Sequence, residues 1–310
     1  MSPAEKKEEA ELSSLAAAES ATDLSEEDKA FADPTKNLLL SDEEYLKISD
    51  VEFRARFRER LHHTLEIQTY HAAHHKKTLG GNRKDTVLKL LDIWEKRGLG
   101  KDLPEYVFSR KLLGFADALI QGKDVDLSAY KWRSLNPEEQ NLFERVIRER
   151  RSVRHWDWTR KVPARLIRRV LEAGLWGAHS CNLQSIRYLV VREEESPGLF
   201  AGSDIPGGPV HIVLLQDQRV YLANPFNPVR NRLLDCGAAA QNIVLASHAY
   251  GLGGCWLTFS DGMLSRLSRH FSLPDHMQLV TYVDVGWPVQ TPCPVERISV
   301  REALLQPLSD

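Results

Sequence analysis

The chain has 310 residues, 42% of them hydrophobic and 27% charged, with a formal net charge of -2. That length allows one large domain with extensions or two domains, and the near-neutral balance excludes a polycation, so any nucleic-acid role would have to come from a local patch. No run approaches the roughly 18 apolar residues of a membrane span, and the start, MSPAEKKEEAELSS, lacks the apolar core of a signal peptide; a soluble, cytoplasmic protein is expected.

Residues 1–35 are Ala, Glu, Ser and Lys with almost no large apolar groups, a composition that cannot offset its ordering entropy. A disordered tail is predicted there. Residues 36–135 read as a helical module. The stretch from Ser41 to Leu79 offers Ser41 as an N-cap and apolar residues at helical spacing. GGNRKD breaks it; DTVLKLLDIWEKRGLG is a second amphipathic helix closed by Gly98 and Gly100, and LPEYVFSRKLLGFADALIQGKD a third. His71 and His75 are four apart and could share a helix face, with Glu66 or His74 as a further zinc ligand. No HExxH is present and two lysines follow, so a structural or surface role is expected and no metal site.

The pattern changes at Asn136, an N-cap with Pro137 at the first helical position and glutamates in the first turn. From 136 to 310 a second region is predicted. A helix runs up to Arg150, another starts near Pro163, and IRYLVVR (186–192) and PVHIVLLQD (209–217) are strand-like. NRLLDCGAAAQNIVLASHAYGLG is a long helix with a small-residue face, GCWLTF (254–259) a strand, DGMLSRLSRHFSL a helix capped by Asp261, and MQLVTYVDVGWP a strand. PVERISVREAL is extended, then helical. Helices and strands mix without strict alternation, which argues an α+β fold. Cys181, Cys236, Cys255 and Cys293 form no CxxC pair and sit in apolar or small-residue settings, as reduced, buried thiols do.

One stretch concentrates charge. RERRSVRHWDW (148–158) crowds Arg148, Arg150, Arg151 and Arg154 around Ser152 at a helix end. Guanidinium forks match phosphate oxygens, so the cluster could grip one anion; a solvated charge run and a nucleic-acid patch are the other readings. Further basic residues up to Arg169 scatter around two helices and are diluted by Glu144, Glu149 and Asp157. GLGGCW (251–256) follows a helix and opens a strand, the reverse of a dinucleotide-binding glycine loop. It reads as a helix C-cap with a tight turn that lets backbone approach a flat ligand.

Four pieces in this order resemble the FMN-dependent nitroreductase superfamily: RRSVRHW…VP (150–163), LIRRVLEAGLWGAHSCNLQSIRYLVV (166–191), DCGAAAQNIVLASHAYGLGGCWL (235–257) and VDVGWPVQTPCPVER (283–297). The resemblance covers about residues 140–305. It implies a nitroreductase-like sandwich, a mixed sheet flanked by helices, working as a homodimer with FMN at the interface. By position, Arg150, Arg151, Ser152 and Arg154 would hold the FMN phosphate and Arg297 would return to it. Ser180, Asn182 and Gln184 would contact the ring or ribityl chain, and Trp256, Leu257 and Thr258 would line the isoalloxazine. Arg148 would be helix surface, and Trp156 and Trp158 packing.

The sequence departs from the family where Pro-Ser-x-x-Asn-x-Gln-Pro-Trp is common: His179 stands in place of Ser, and Ser185-Ile186 in place of Pro-Trp. Only residues 217–230 separate strand from helix, leaving little room for a lid. The implied activity is ping-pong transfer of hydride or electrons from NADH or NADPH through flavin N5 to a small electron-poor acceptor, with His179 a candidate proton donor. An FMN-dependent oxidase or dehydrogenase of a biosynthetic pathway, or a non-catalytic flavin-binding protein, are the alternatives.

Overall fold

A computed structural model describes residues 39–306 except 203, 204, 226, 228 and 291. The tail expected over 1–35 lies outside the described residues.

The stretch predicted as one helix from Ser41 is broken. Helix α1 (Asp42–Lys47) ends at Ile48, which is extended, and α2 (Asp50–Arg60) starts afresh. Ser41 and Ser49 each accept a hydrogen bond from the backbone N–H three residues on, at 3.3 and 3.2 Å. Two good caps eight residues apart make two short helices cheaper than one long one. A π-helical turn (Leu61–Glu66) joins α2 to α3 (Ile67–His74). Helices α4 (Asp85–Lys96) and α5 (Pro104–Ile120) complete the module. Gly98 closes α4 with φ 67°, the left-handed cap that glycine adopts without a Cβ penalty. The module's core is built on Trp94, fully buried between Phe57 (ring centroids 5.0 Å) and Tyr106 (5.7 Å).

Helix α6 (Pro137–Glu149) carries the predicted Asn136 cap, reinforced by Glu139 in a capping box, and ends at Arg150. Helix α7 (Ala164–Leu175) follows, then β1 (Ile186–Arg192), β2 (Val210–Asp217), α8 (Val229–Ala249), β3 (Gly253–Leu257), α9 (Asp261–His270), β4 (Met277–Gly286) and α10 (Val300–Ala303). The cap of α9 is Ser260 and not Asp261. The sheet has the order β1-β2-β4-β3. The resemblance implies a mixed sheet; among the described residues every strand pair is antiparallel, and the parallel contact is a bridge between Ser152 and Gly254. Helix α8 does return the chain parallel to β2, but β4 then inserts between β2 and β3.

Apolar side chains fill both faces of the sheet. Val170, Ile212, Ile243 and Val283 pack α7 and α8 on one face; Val213, Met263, Leu267 and Tyr282 pack α9 on the other. The alternation of β2 explains this, since successive strand residues point to opposite faces. Trp156 is buried, as expected, whereas Trp158 is 58% exposed and does not pack. Of the four thiols, all unpaired, Cys236 and Cys255 are buried, Cys181 is intermediate and Cys293 is exposed. Cys293 departs from expectation because it lies beyond β4, in a segment that leaves the core.

The two regions touch through α2. Val51 and Ala55 pack against Leu183, Val220, Tyr221 and Ala223, the last three in a 3-10 turn (Gln218–Ala223) that follows β2.

Candidate active site

Two clusters of predicted site residues form on the C-terminal region. The first surrounds the edge strand β3. Ser152 bridges Gly254, and the Val153 N–H donates to the Gly254 carbonyl at 3.2 Å, so the arginine stretch runs along the start of β3. Gly253 is what permits this: a Cβ there would stand 2.7 Å from Val153 Cβ and 2.9 Å from Trp156. Arg150 is half-buried, and its pKa is held down by burial, by the positive charge of Arg297 and by Arg151. Arg150 and Arg154 both act electrostatically on the Cys255 thiol, whose pKa burial raises. Arg297 thus comes in beside Arg150 from a distant part of the chain, and Arg154 follows Arg150 in the same stretch. Neighbouring carboxylates are committed elsewhere, Glu144 to Arg148 at 3.0 Å and Glu149 to Arg145 at 3.9 Å. Among the described residues no carboxylate pairs with Arg150, Arg154 or Arg297. Arg151 is placed differently: its guanidinium donates to the Arg148 and Arg150 carbonyls at 2.6 and 2.9 Å and closes the end of α6.

The second cluster lies beside α8. A groove of about 540 Å³ is lined by Ala178, His179, Ser180, Leu234, Asp235, Gly237 and Ala238. The chain can run this close to α8 because residue 177 is glycine; a Cβ there would meet the backbone of Ala239 at 3.0 Å. Asp235, buried at the start of α8, accepts from both the N–H and the hydroxyl of Ser180, each at 2.9 Å. Its second oxygen is buried and has no hydrogen-bond partner. Cys181, Asn182 and Gln184 all have positive φ (51°, 51° and 57°), each costing about 1 kcal/mol or more for a non-glycine residue. Asn182 and Gln184 face outward and hydrogen-bond each other at 3.0 Å, while Leu183 between them is fully buried.

Trp256 links the clusters. Its ring is 43% exposed and stands 3.7 Å from where a Cβ on Gly237 would be, so the small-residue face of α8 makes room for an indole. Thr281 fixes the ring, accepting from the indole N–H at 2.6 Å and donating to the Leu257 carbonyl at 2.6 Å. Leu257 itself is buried and Thr258 exposed. His179 lines the groove with its Nδ1 2.7 Å from the Gly177 carbonyl, so that nitrogen carries the proton. Of the departures from the family pattern, only His179 reaches the groove; Ser185 is buried against the Tyr221 hydroxyl at 2.7 Å and Ile186 is in the core. In the N-terminal module His71 and His75 do stack, at 4.4 Å between ring centroids, but no group of three metal-ligating side chains exists among the described residues.

An antiparallel sheet flanked by helices, with arginines at its edge strand and a small-residue helix beside an exposed tryptophan, defines an α+β region. The sequence model described as "Nitroreductase family" matches residues 147–201 and 200–287, so the C-terminal part of the chain is similar to that family, in the region where its motifs resemble it. Residues 39–146 lie outside that match. A protein of Methanothermobacter thermautotrophicus, provisionally named an NADH dehydrogenase/NAD(P)H nitroreductase, is 29% identical over 154 residues, covering 47% of this chain and 78% of its own. A similarly named protein of Archaeoglobus fulgidus is 26% identical over 151 residues, 46% of this chain and 84% of its own. A provisionally named nitroreductase from Desulfovibrio desulfuricans, solved in complex with FMN, is 28% identical with a TM-score of 0.48, covering 57% of this chain and 100% of its own. No described helix is long and apolar enough to cross a membrane.

Proposed function

We propose that the chain is an FMN-dependent oxidoreductase that takes electrons from NADH or NADPH and passes them to a small electron-poor acceptor. The observation that carries this reading is the arginine stretch held along the start of β3 by Ser152 and Val153, with Arg297 beside Arg150 and no carboxylate paired with Arg150, Arg154 or Arg297 among the described residues. Half-buried Arg150 lies beside the like charges of Arg297 and Arg151, and a phosphate dianion relieves the repulsion by accepting several charge-assisted hydrogen bonds. The residues therefore fit the phosphate of FMN. Arg150, Ser152 and Arg297 hold it; Arg151 contributes by closing the helix end from which Arg150 projects. Ser180, Asn182 and Gln184 contact the ring or ribityl chain, and Trp256, Leu257 and Thr258 form the wall beside the ring.

Bound FMN supplies the redox chemistry. The protein contributes position and charge. Arg154 supplies positive potential that favours electron-rich forms of the cofactor. Asp235 anchors Ser180, and Thr281 fixes the Trp256 ring, so hydrogen bonds within the protein position both walls. His179 Nε2 is the nitrogen available to exchange a proton with a substrate in the groove. Because His179 is the one departure that lines the groove, it also sustains a second reading, an FMN-dependent oxidase or dehydrogenase working on a biosynthetic substrate.

The working form is a homodimer with FMN at the interface. Leu142, Phe143 and Ile147 on α6, and Val229, Leu233 and Leu234 on α8, are 45–67% exposed, an apolar surface that a second copy would cover. Anaerobic titration separates the readings. Yellow protein whose visible absorption is bleached by NADH or NADPH supports the reductase; yellow protein indifferent to both supports the oxidase or dehydrogenase, or a non-catalytic flavin-binding protein. A colourless protein that does not take up added FMN contradicts the proposal.

A further inference from the structure

The N-terminal module contributes a side chain to the C-terminal region at one point where backbone shape matters. Arg58, on α2, is 7% exposed and donates from Nη2 to the carbonyl of Leu183 at 2.8 Å. That carbonyl belongs to the peptide unit between Leu183 and Gln184. Flipping the unit would rotate Leu183 ψ and Gln184 φ together, so holding its oxygen selects the state in which Gln184 has φ 57°. At the other end of the segment Asp235 holds Ser180. Between these anchors lie Cys181 and Asn182, both with φ 51°.

Arg58 is itself held. Its Nη1 donates to Glu105 of α5 at 3.2 Å, and the same buried carboxylate accepts from Arg54, one turn earlier on α2. Burial lowers the Arg58 pKa to about 10 against the pull of Glu105, so the group is charged at neutral pH. Around this contact Leu183 packs on Ala55 and Tyr221. The position of α2 relative to α5 is thereby transmitted to a single carbonyl.

We infer that Arg58 is a positioning residue: the N-terminal module braces the segment Ser180–Gln184 through the Leu183 carbonyl and so presents Asn182 and Gln184 in the conformation that receives the cofactor. This rests on the reading of those two residues as FMN contacts. It gives the module a role that the nitroreductase-family match, which begins at residue 147, does not assign.

The test uses the full-length apo-protein and FMN, following quenching of flavin fluorescence. Arg58→Met removes the donor and keeps most of the packing volume; Arg58→Lys keeps charge beside Glu105 with one compact donor group. Leu112→Ala, in the module's core, is the control for general destabilisation. A charge-assisted hydrogen bond predicts that Arg58→Met raises the FMN Kd by about tenfold to a hundredfold. Arg58→Lys restores part of that loss and carries the comparison alone where Arg58→Met does not fold. Leu112→Ala, with an equal or larger fall in Tm, keeps the wild-type Kd. Wild-type affinity in both Arg58 variants, or an equal loss in Leu112→Ala, overturns the brace. Asn182→Ala separates the two levels. Weakened binding in Asn182→Ala with unchanged binding in the Arg58 variants removes the brace and leaves the flavin reading standing. Unchanged binding in Asn182→Ala and in the double variant Arg150→Ala/Ser152→Ala removes both.

Discussion

Gly253 shows how much of the site rests on a missing side chain. The turn GLGGCW divides its labour. Gly251, with φ 75°, ends α8, and Gly253 lets Val153 and Trp156 lie against β3. Gly253→Ala should cost about 1–3 kcal/mol by overpacking, lowering Tm and weakening FMN together, because the displaced residues adjoin Arg150 and Arg154. Thermal melting with a flavin titration checks this; an unchanged Tm would mean the stretch 152–156 yields freely. The sequence had shown a turn that brings backbone close, but not what it approaches, since Val153 is a hundred positions away. Arg58 was hidden for the same reason. Nothing local joins residue 58 to the carbonyl of residue 183. The arginine stretch was legible because its members are neighbours in the chain, although only the fold shows that Arg151 turns back onto α6 while Arg297 comes in beside Arg150.

Elements were legible where a cap and a period agreed. Asn136-Pro137 with Glu139 announced α6, and β1 matches its apolar run from Ile186 to Arg192. The long helix expected from Ser41 is broken because a second cap interrupts its apolar period. Ser49-Asp50-Val51-Glu52 repeats the Ser-x-x-Glu signature of Ser41-Asp42-Glu43-Glu44, and the chain restarts there. Ser49→Ala should therefore cost about 1 kcal/mol, seen as faster amide exchange in the first turn of α2; exchange no faster than wild type would show that packing alone sets the break. The order β1-β2-β4-β3 was not readable, because the partner of each strand depends on where α8 returns the chain.

At the scale of the molecule, stability and assembly are both exposed to single charges. Burial pushes the Glu105 carboxyl upward, but the hydrogen bond from Arg54 and the charge of Arg58 outweigh it, and its pKa lies below the ordinary 4.5. A carboxylate lowered in the folded state adds stability above its unfolded pKa and loses it as pH falls through the folded value. The wild type should thus lose Tm on acidification below about pH 4.5, and Glu105→Gln, less stable at neutral pH, should show a shallower acid loss. Parallel acid limbs in the two proteins would contradict this. Leu234 is 67% exposed on α8 and also lines the groove. Leu234→Glu should shift the protein from dimer to monomer in analytical ultracentrifugation and reduce FMN affinity with it; a dimer of unchanged strength would place the interface elsewhere.

The arginines gathered at β3 are proposed as the phosphate grip of an FMN site. Titration of FMN into the full-length apo-protein, compared with Arg150→Ala/Ser152→Ala of matching far-UV circular dichroism, tests it most directly. Saturable quenching at one FMN per chain is expected in the wild type, and its loss in the double variant. No quenching in the wild type, or equal binding by the double variant, would contradict it.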